Sequence, residues 1–227
     1  MNIWVNVAFV VGSYLLGSAP HLHALVKLRG IKIEGDLHIG LWRRAGRLTG
    51  TAGILGDLVK GAIPILVGRS LGFELSIIVL AGLAVVSGQM WPVFLGFDGE
   101  KGNSTGLAMV AVLTPKTLLF GILPVLIGLA IRTVPRLLDS TKSVNERLKF
   151  GGPPSQSLPL GMSIAFVLLP LISWWLGEPM EITLGCLTLF VLIMVRRLTA
   201  GLREDLRPSA NVRSILITRL LLDRSYR

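Results

Sequence analysis

Only 16% of this 227-residue chain is charged, it holds a single cysteine, and its 13 acidic residues are outnumbered by 23 lysines and arginines. The scarcity of charge goes with 52% hydrophobic residues and a mean hydropathy of +0.68, which excludes an ordinary soluble domain. The lone Cys186 sits in an apolar segment, rules out an internal disulfide, and reads as a packing or lipid-facing residue. With three histidines and no histidine, cysteine or carboxylate cluster at ligand spacing, no metal site is expected. No basic stretch precedes the apolar run in Met1 to Leu16, so that run is expected to be the first span rather than a cleaved signal peptide. The chain also lacks a repeat of 20–50 residues, a low-complexity tract and a Walker loop, which argues against solenoids and against ATP hydrolysis.

What is present is a series of apolar segments of membrane length. Seven can be marked off, at about Ile3–Leu28, Thr51–Val67, Glu74–Leu95, Thr105–Leu113, Thr117–Ile131, Leu158–Leu176 and Glu181–Val195. The fourth is too short to span alone, since a span takes about 20 residues, and reads as a half-helix or one arm of a helix broken at Thr114-Pro115. The expected fold is therefore an all-α polytopic membrane protein, one domain over residues 1–227, with about seven transmembrane segments. Placing the N-terminus outside puts 20 of the 23 basic residues in inner loops and the tail, as the positive-inside rule requires. The same distribution explains the net charge of +10 without nucleic acid, and no nucleic-acid partner is expected. Between Arg136 and Ser157 an inner loop is expected, with room for a short amphipathic helix. The basic segment from about residue 204 to 227 reads as a cytoplasmic tail, whose Ile215, Leu216, Leu220 and Leu221 suit a helix lying on an anionic leaflet.

Three polar features fall on the inner side in this threading. Gly35-Asp-Leu-His-Ile-Gly-Leu-Trp-Arg-Arg-Ala-Gly46, between the first two spans, joins turn-forming glycines to arginines able to grip an oxyanion bidentately. Read without context, it is also an ordinary positive-inside loop. Asp57 and Lys60, early in the second span, are costly in an apolar helix and can pair at a spacing of three, as a structural pair or as part of a substrate site. The third is Met90-Trp-Pro-Val-Phe-Leu-Gly-Phe-Asp-Gly-Glu-Lys-Gly-Asn-Ser-Thr105. There Lys101, framed by Gly99 and Gly102, is the best single candidate for a phosphate contact.

Taken in order, Tyr14-Leu-Leu-Gly-Ser-Ala-Pro20, the glycine-arginine loop, Asp57-Leu-Val-Lys-Gly61 and Gly88-x-Met-Trp-Pro-Val-Phe-Leu-Gly-Phe-x-Gly-x-Lys-Gly102 resemble the bacterial acyl-phosphate-dependent glycerol-3-phosphate acyltransferases. The resemblance covers about residues 10–115 by motif and the remainder by hydrophobic layout. It implies an acyltransferase-like domain in the bacterial cytoplasmic (inner) membrane, with its motif loops on the cytoplasmic side. The implied reaction moves an acyl group from acyl phosphate to the 1-hydroxyl of glycerol 3-phosphate, yielding lysophosphatidic acid and phosphate for phospholipid synthesis. Implied partners are those two substrates and membrane lipids, with no cofactor.

Several family positions are replaced. The serine of the first loop is Asp36 and its asparagine His38, while Gly35, Gly40 and an arginine, Arg43, remain. In the second motif a histidine is Gln89, a lysine is Asp98 and a glycine is Glu100, while Lys101, Gly102 and Thr105 remain. After the last span, Arg196-Arg197-Leu198-Thr199-Ala200 lacks the family's histidine and asparagine. Each of Asp36, Asp98 and Glu100 would repel a close phosphate by about 1–4 kcal/mol at surface-like dielectric. Carried over position by position, the catalytic set is Asp36 as base with Arg43 and Lys101 on phosphate. Gly35, His38, Gly40, Asp57, Lys60, Gly99, Gly102 and Thr105 complete the substrate site. An imidazole at His38 can serve as acid or base; His21 and His23 read as interfacial or packing residues. The replacements leave open a non-catalytic or acceptor-shifted paralogue on the same scaffold, acting in lipid binding or regulation.

Overall fold

A computed structural model describes residues 2–33, 35, 37–141, 143–144, 156–205 and 211–222. Among the described residues every regular element is helical. Six helical stretches are long and apolar enough to cross a membrane: Ile3–Leu28, Arg47–Ser70, Leu75–Leu95, Pro115–Leu138, Ser157–Trp175 and Met180–Thr199. The all-α polytopic layout expected from hydropathy is the one observed, and the short fourth segment is a helix of 11 residues.

The first stretch is two helices, α1 (Ile3–Ser18) and α2 (His21–Leu28), because Pro20 has no N–H and pushes Ala19 to extended backbone. A short α3 (Leu37–Gly40) and one wide π-type turn, Leu41–Ala45, lead into α4 (Arg47–Ser70), which is antiparallel to α5 (Leu75–Met90). Helices α1 and α5 cross with their backbones touching: a Cβ on Gly17 would lie 2.0 Å from the Val85 carbonyl oxygen, and one on Gly88 2.1 Å from that of Tyr14. In a bilayer, where lipid is as apolar as leucine, such close approach supplies the packing that holds helices together.

The short helix α6 (Asn103–Leu113) runs beside the second half of α4 in the same direction. Its Thr105 carbonyl faces Gly61, and eight residues further along both helices Arg69 donates to Val112 O and Leu113 O, 2.8 Å each. The guanidinium thus caps carbonyls that the helix end leaves without intrahelical donors. At about 1.5 Å per residue α6 is about 16 Å long, yet it ends level with α4. It can do so because it starts beside Gly61, already past the middle of α4. That explains why a span-length run is missing at this point of the sequence.

Helices α7 (Pro115–Gly121) and α8 (Leu123–Leu138) follow, then α9 (Ser157–Trp175) and α10 (Met180–Thr199). At the end of the bundle beyond Arg69, Thr114 Oγ1 donates to Glu178 Oε1 at 2.7 Å and ties the α6–α7 junction to the α9–α10 turn. The core lies between α5, α6, α9 and α10, where Val85, Val86, Met90, Met109, Phe166, Leu189 and Ile193 are fully buried. Most of the amphipathic segment expected between Arg136 and Ser157 lies outside the described residues.

The tail differs from expectation. After α11 (Leu202–Asp205), helix α12 (Val212–Leu222) docks on protein, burying Ile215 and Arg219 against α9 and α10. Arg219 donates to Asp205 Oδ2 through Nε at 2.9 Å and to the carbonyls of Arg197 and Ala200 at 3.2 and 2.5 Å, and Ser163 and Arg197 bind the carbonyl of Leu220. An apolar stripe alone suits a lipid surface; the buried arginine at its centre is what requires a protein partner.

Candidate active site

The break at Pro20 frees the last carbonyls of α1, and Lys60 on α4 takes them, its Nζ donating to Gly17 O at 3.1 Å and Ala19 O at 2.5 Å. A cation at a helix C-terminus is where the helix dipole favours it. The third hydrogen bond of Lys60 goes to Gln89 Oε1 at 3.1 Å, and Gln89 Nε2 donates in turn to Asp57 Oδ1 at 3.0 Å. The expected Asp57–Lys60 pair is therefore bridged by an amide from α5. All three side chains are buried.

Two histidines close on the same carboxylate. His38 Nε2 on α3 lies 2.9 Å from Asp57 Oδ2, and His21 Nε2 at the start of α2 lies 3.2 Å from Oδ1 and 3.2 Å from the Gly53 carbonyl oxygen. Space for His21 comes from Gly56, where a Cβ would meet imidazole atoms at 2.5 and 2.7 Å. Asp57 is 3% exposed, and a buried carboxylate is tolerated only when its oxygens are taken up in this way.

The second glycine-rich segment is tied at several points. Tyr14 Oη donates to Trp91 O at 2.6 Å, while the N–H groups of Gly99 and Glu100 return to the carbonyls of Met90 and Gln89 at 3.2 and 3.1 Å. From the last span, Arg196 donates to Asp98 Oδ1 at 2.7 Å and Gly99 O at 2.5 Å. Gly102 has φ +72, a conformation L side chains rarely adopt, and a Cβ there would press on the Met90 methyl carbon at 2.7 Å. Half-buried Lys101 is thereby delivered just before the N-terminus of α6, where helix N–H groups add to its attraction for an anion. A cleft opens between this segment and the α1–α2 break, lined among others by Gly17, Ser18, His21, Gln89, Gly99 and Glu100.

Residues 7–203 match the family model described as glycerol-3-phosphate acyltransferase. The chain belongs to that family. It is similar to the glycerol-3-phosphate acyltransferase of Geobacter metallireducens, 40% identical over 120 residues that make up 51% of this chain and 62% of that protein. The chain thus spans less than two thirds of that relative. Similarity to glycerol-3-phosphate acyltransferase 4 of Dehalococcoides mccartyi runs further, 29% identical across 98% of this chain and 90% of that protein. Among solved structures it resembles PlsY (YgiH), an integral membrane glycerol 3-phosphate acyltransferase, in its glycerol 3-phosphate form. The TM-score is 0.69 at 25% identity, over 98% of this chain and 95% of that one. The lysophosphatidic acid form matches with a TM-score of 0.68.

Against this acyltransferase fold the sequence-derived positions separate. His38, Asp57 and Lys60 meet in one network, and Gly99 borders the cleft. Arg43 lies on the exposed side of the turn Leu41–Ala45, and Gly40 packs on Ile33, where a Cβ would lie 2.2 Å from Cγ2. Gly35 occupies a bend at φ +82, and Thr105 is fully buried in the α4–α6 contact. Asp36 lies outside the described residues. Asp98, expected to repel phosphate, has its charge met by Arg196. The sequence reading took His21 for an interfacial or packing residue and gave Gln89 and Arg196 no part in the site. The signal for His21 was Pro20 before it together with Gly53 and Gly56 one turn apart on α4, a backbone break facing a gap.

Proposed function

We propose that this chain transfers the acyl group of an acyl phosphate to the 1-hydroxyl of glycerol 3-phosphate, producing lysophosphatidic acid and inorganic phosphate. It would do so in the bacterial inner membrane, with the motif segments facing the cytoplasm. The observation that carries the reading is the meeting of both motif segments at one carboxylate. His38, five residues before Arg43, and Gln89, twelve before Lys101, both hold Asp57. Family membership across residues 7–203 supplies the chemistry.

Acyl phosphate is already an activated anhydride, so catalysis needs chiefly positioning and charge neutralisation. Lys101, the N-terminus of α6 and Arg43 are the cationic elements available to offset repulsion between two phosphorylated substrates. Arg196 keeps Asp98 from opposing them. An acyl chain can stay among the lipid-facing helices while its phosphate end is held at the cleft.

The test is purified full-length protein in lipid, given acyl phosphate and glycerol 3-phosphate. Release of phosphate and formation of lysophosphatidic acid are expected only with both substrates. Folded protein that yields neither, beside an active family member, would refute the proposal.

A further inference from the structure

Helix α12 has two faces, and protein covers only one of them. Ile215 and Arg219 are buried against α9 and α10, while Arg213, Ile217 and Leu221 are exposed. At the spacing of an α-helix, four residues apart, Arg213, Ile217 and Leu221 form one stripe on the side away from the buried pair.

The placement of the helix says what that stripe meets. Ser163 Oγ lies 3.0 and 2.9 Å from the carbonyl oxygens of Leu220 and Leu221. Ser163 is six residues past Ser157, where α9 begins, which is about 9 Å along the span at 1.5 Å per residue. The end of α12 therefore lies alongside a membrane span and not beyond it. Exposed neighbours at this level of the two spans are apolar too, Leu160 and Ile164 on α9 and Val195 on α10. Ile217 and Leu221 add to that lipid-facing surface.

Arg213 stands two turns before Leu221 on the stripe, and the stretch from Asn211 to Leu222 holds no acidic residue. A cation at one end of an apolar helix face suits the boundary where acyl chains give way to head groups. The boundary is the one on the side of the cleft, because Arg219 binds the carbonyl of Arg197 while Arg196 beside it holds Asp98 and Gly99. The helix also follows the region matched by the family model, which ends at residue 203.

We propose that the outward stripe of α12 is a binding surface for anionic lipid in the leaflet on the cleft side. Arg213 meets a head-group phosphate, and Ile217 and Leu221 lie among acyl chains. Protein contacts fix the helix independently, since Arg219 is held by Asp205 and by the carbonyls of Arg197 and Ala200. Lipid charge decides only which lipid occupies the outward side. The proposal does not depend on the acyl-transfer reading, and a failed acyl-transfer assay leaves it standing.

The experiment attaches a small fluorophore to Ile217→Cys in the full-length chain, where buried Cys186 stays unlabelled, and reconstitutes it in phosphatidylcholine vesicles. Nitroxide-labelled phosphatidylglycerol is expected to quench about fivefold more effectively than nitroxide-labelled phosphatidylcholine at equal mole fraction, the preference one arginine gives at an anionic surface. Raised salt is expected to shrink the difference, and Arg213→Gln to abolish it while both lipids still quench. Equal quenching by the two lipids with Arg213 in place, or a preference that survives Arg213→Gln, overturns the proposal. Quenching by aqueous iodide alone would put the stripe in water, and quenching by no reagent would put a protein partner on it; either result overturns the proposal as well. Where the labelled Ile217 variant does not fold, a fluorophore at Leu221→Cys on the same stripe decides between these outcomes.

Discussion

Arg196 reaches from the end of the last span to Asp98 in the second glycine-rich segment, its guanidinium 2.7 Å from the carboxylate oxygen and 2.5 Å from the neighbouring Gly99 carbonyl. The two partners differ in environment, for Arg196 is 6% exposed at its side chain and Asp98 83%. Removing Asp98 takes away one partner of a buried guanidinium that still holds the Gly99 carbonyl. Removing Arg196 takes away both contacts, so the Gly99 carbonyl loses its donor and the segment loses its tie to the last span. Arg196→Ala is expected to raise KM for glycerol 3-phosphate by more than Asp98→Ala does, and steady-state kinetics on the pair measures the difference.

In the proposed reaction Lys101 is the cation that holds phosphate. Lys101→Ala is expected to lower kcat/KM by about a hundredfold to a thousandfold, the range for losing a preorganised anion contact, with thermal unfolding unchanged because its side chain is only half-buried. Arg43→Ala is expected to act in the same direction. A Lys101→Ala enzyme with unaltered kcat/KM would remove the lysine from the site.

Gly61 decides whether α6 can lie against α4. A methyl there would sit 2.2 Å from the Thr105 carbonyl oxygen, an atom that cannot swing away. Gly61→Ala is expected to destabilise the protein by about 1–3 kcal/mol, as overpacking does, and to move Lys101, which precedes α6. Thermal unfolding in detergent reads the first effect and KM the second.

Arg219 and Asp205 are both buried, at 3% and 4% exposure, and the arginine also binds the carbonyls at the end of α10. Arg219→Ala leaves a buried carboxylate without its partner, a change that costs about 3–5 kcal/mol. Detachment of α12 is expected, seen as proteolysis of the tail and a lower unfolding midpoint. Arg213→Ala, at an exposed position of the same helix, is expected to change neither.

The membrane class, the all-helical layout and the two motif segments were legible in the amino-acid sequence. Hydropathy over a bilayer thickness, the glycine spacing and the order of motifs are local properties of the chain, and each survives unchanged into the fold. The short fourth segment was legible too, as a half-helix, because no arrangement of 11 apolar residues crosses a membrane alone.

What linear order could not carry was which polar side chains share a partner. Asp57 joins His21, His38 and Gln89 across separations of 36, 19 and 32 residues, and Arg196 meets Asp98 across 98. Asp98 read alone is a charge that repels phosphate; beside Arg196 it is a neutralised tether. His21 read alone is a packing residue at the end of a span. Pro20 turns it and Gly56 makes room for it, so it becomes an oriented imidazole on a cleft. Such pairings depend on helix depth and rotation, which are set by backbone contacts at Gly17, Gly61 and Gly88. A low-dielectric interior then fixes the outcome, because each buried charge must find its partner wherever the packing has brought one.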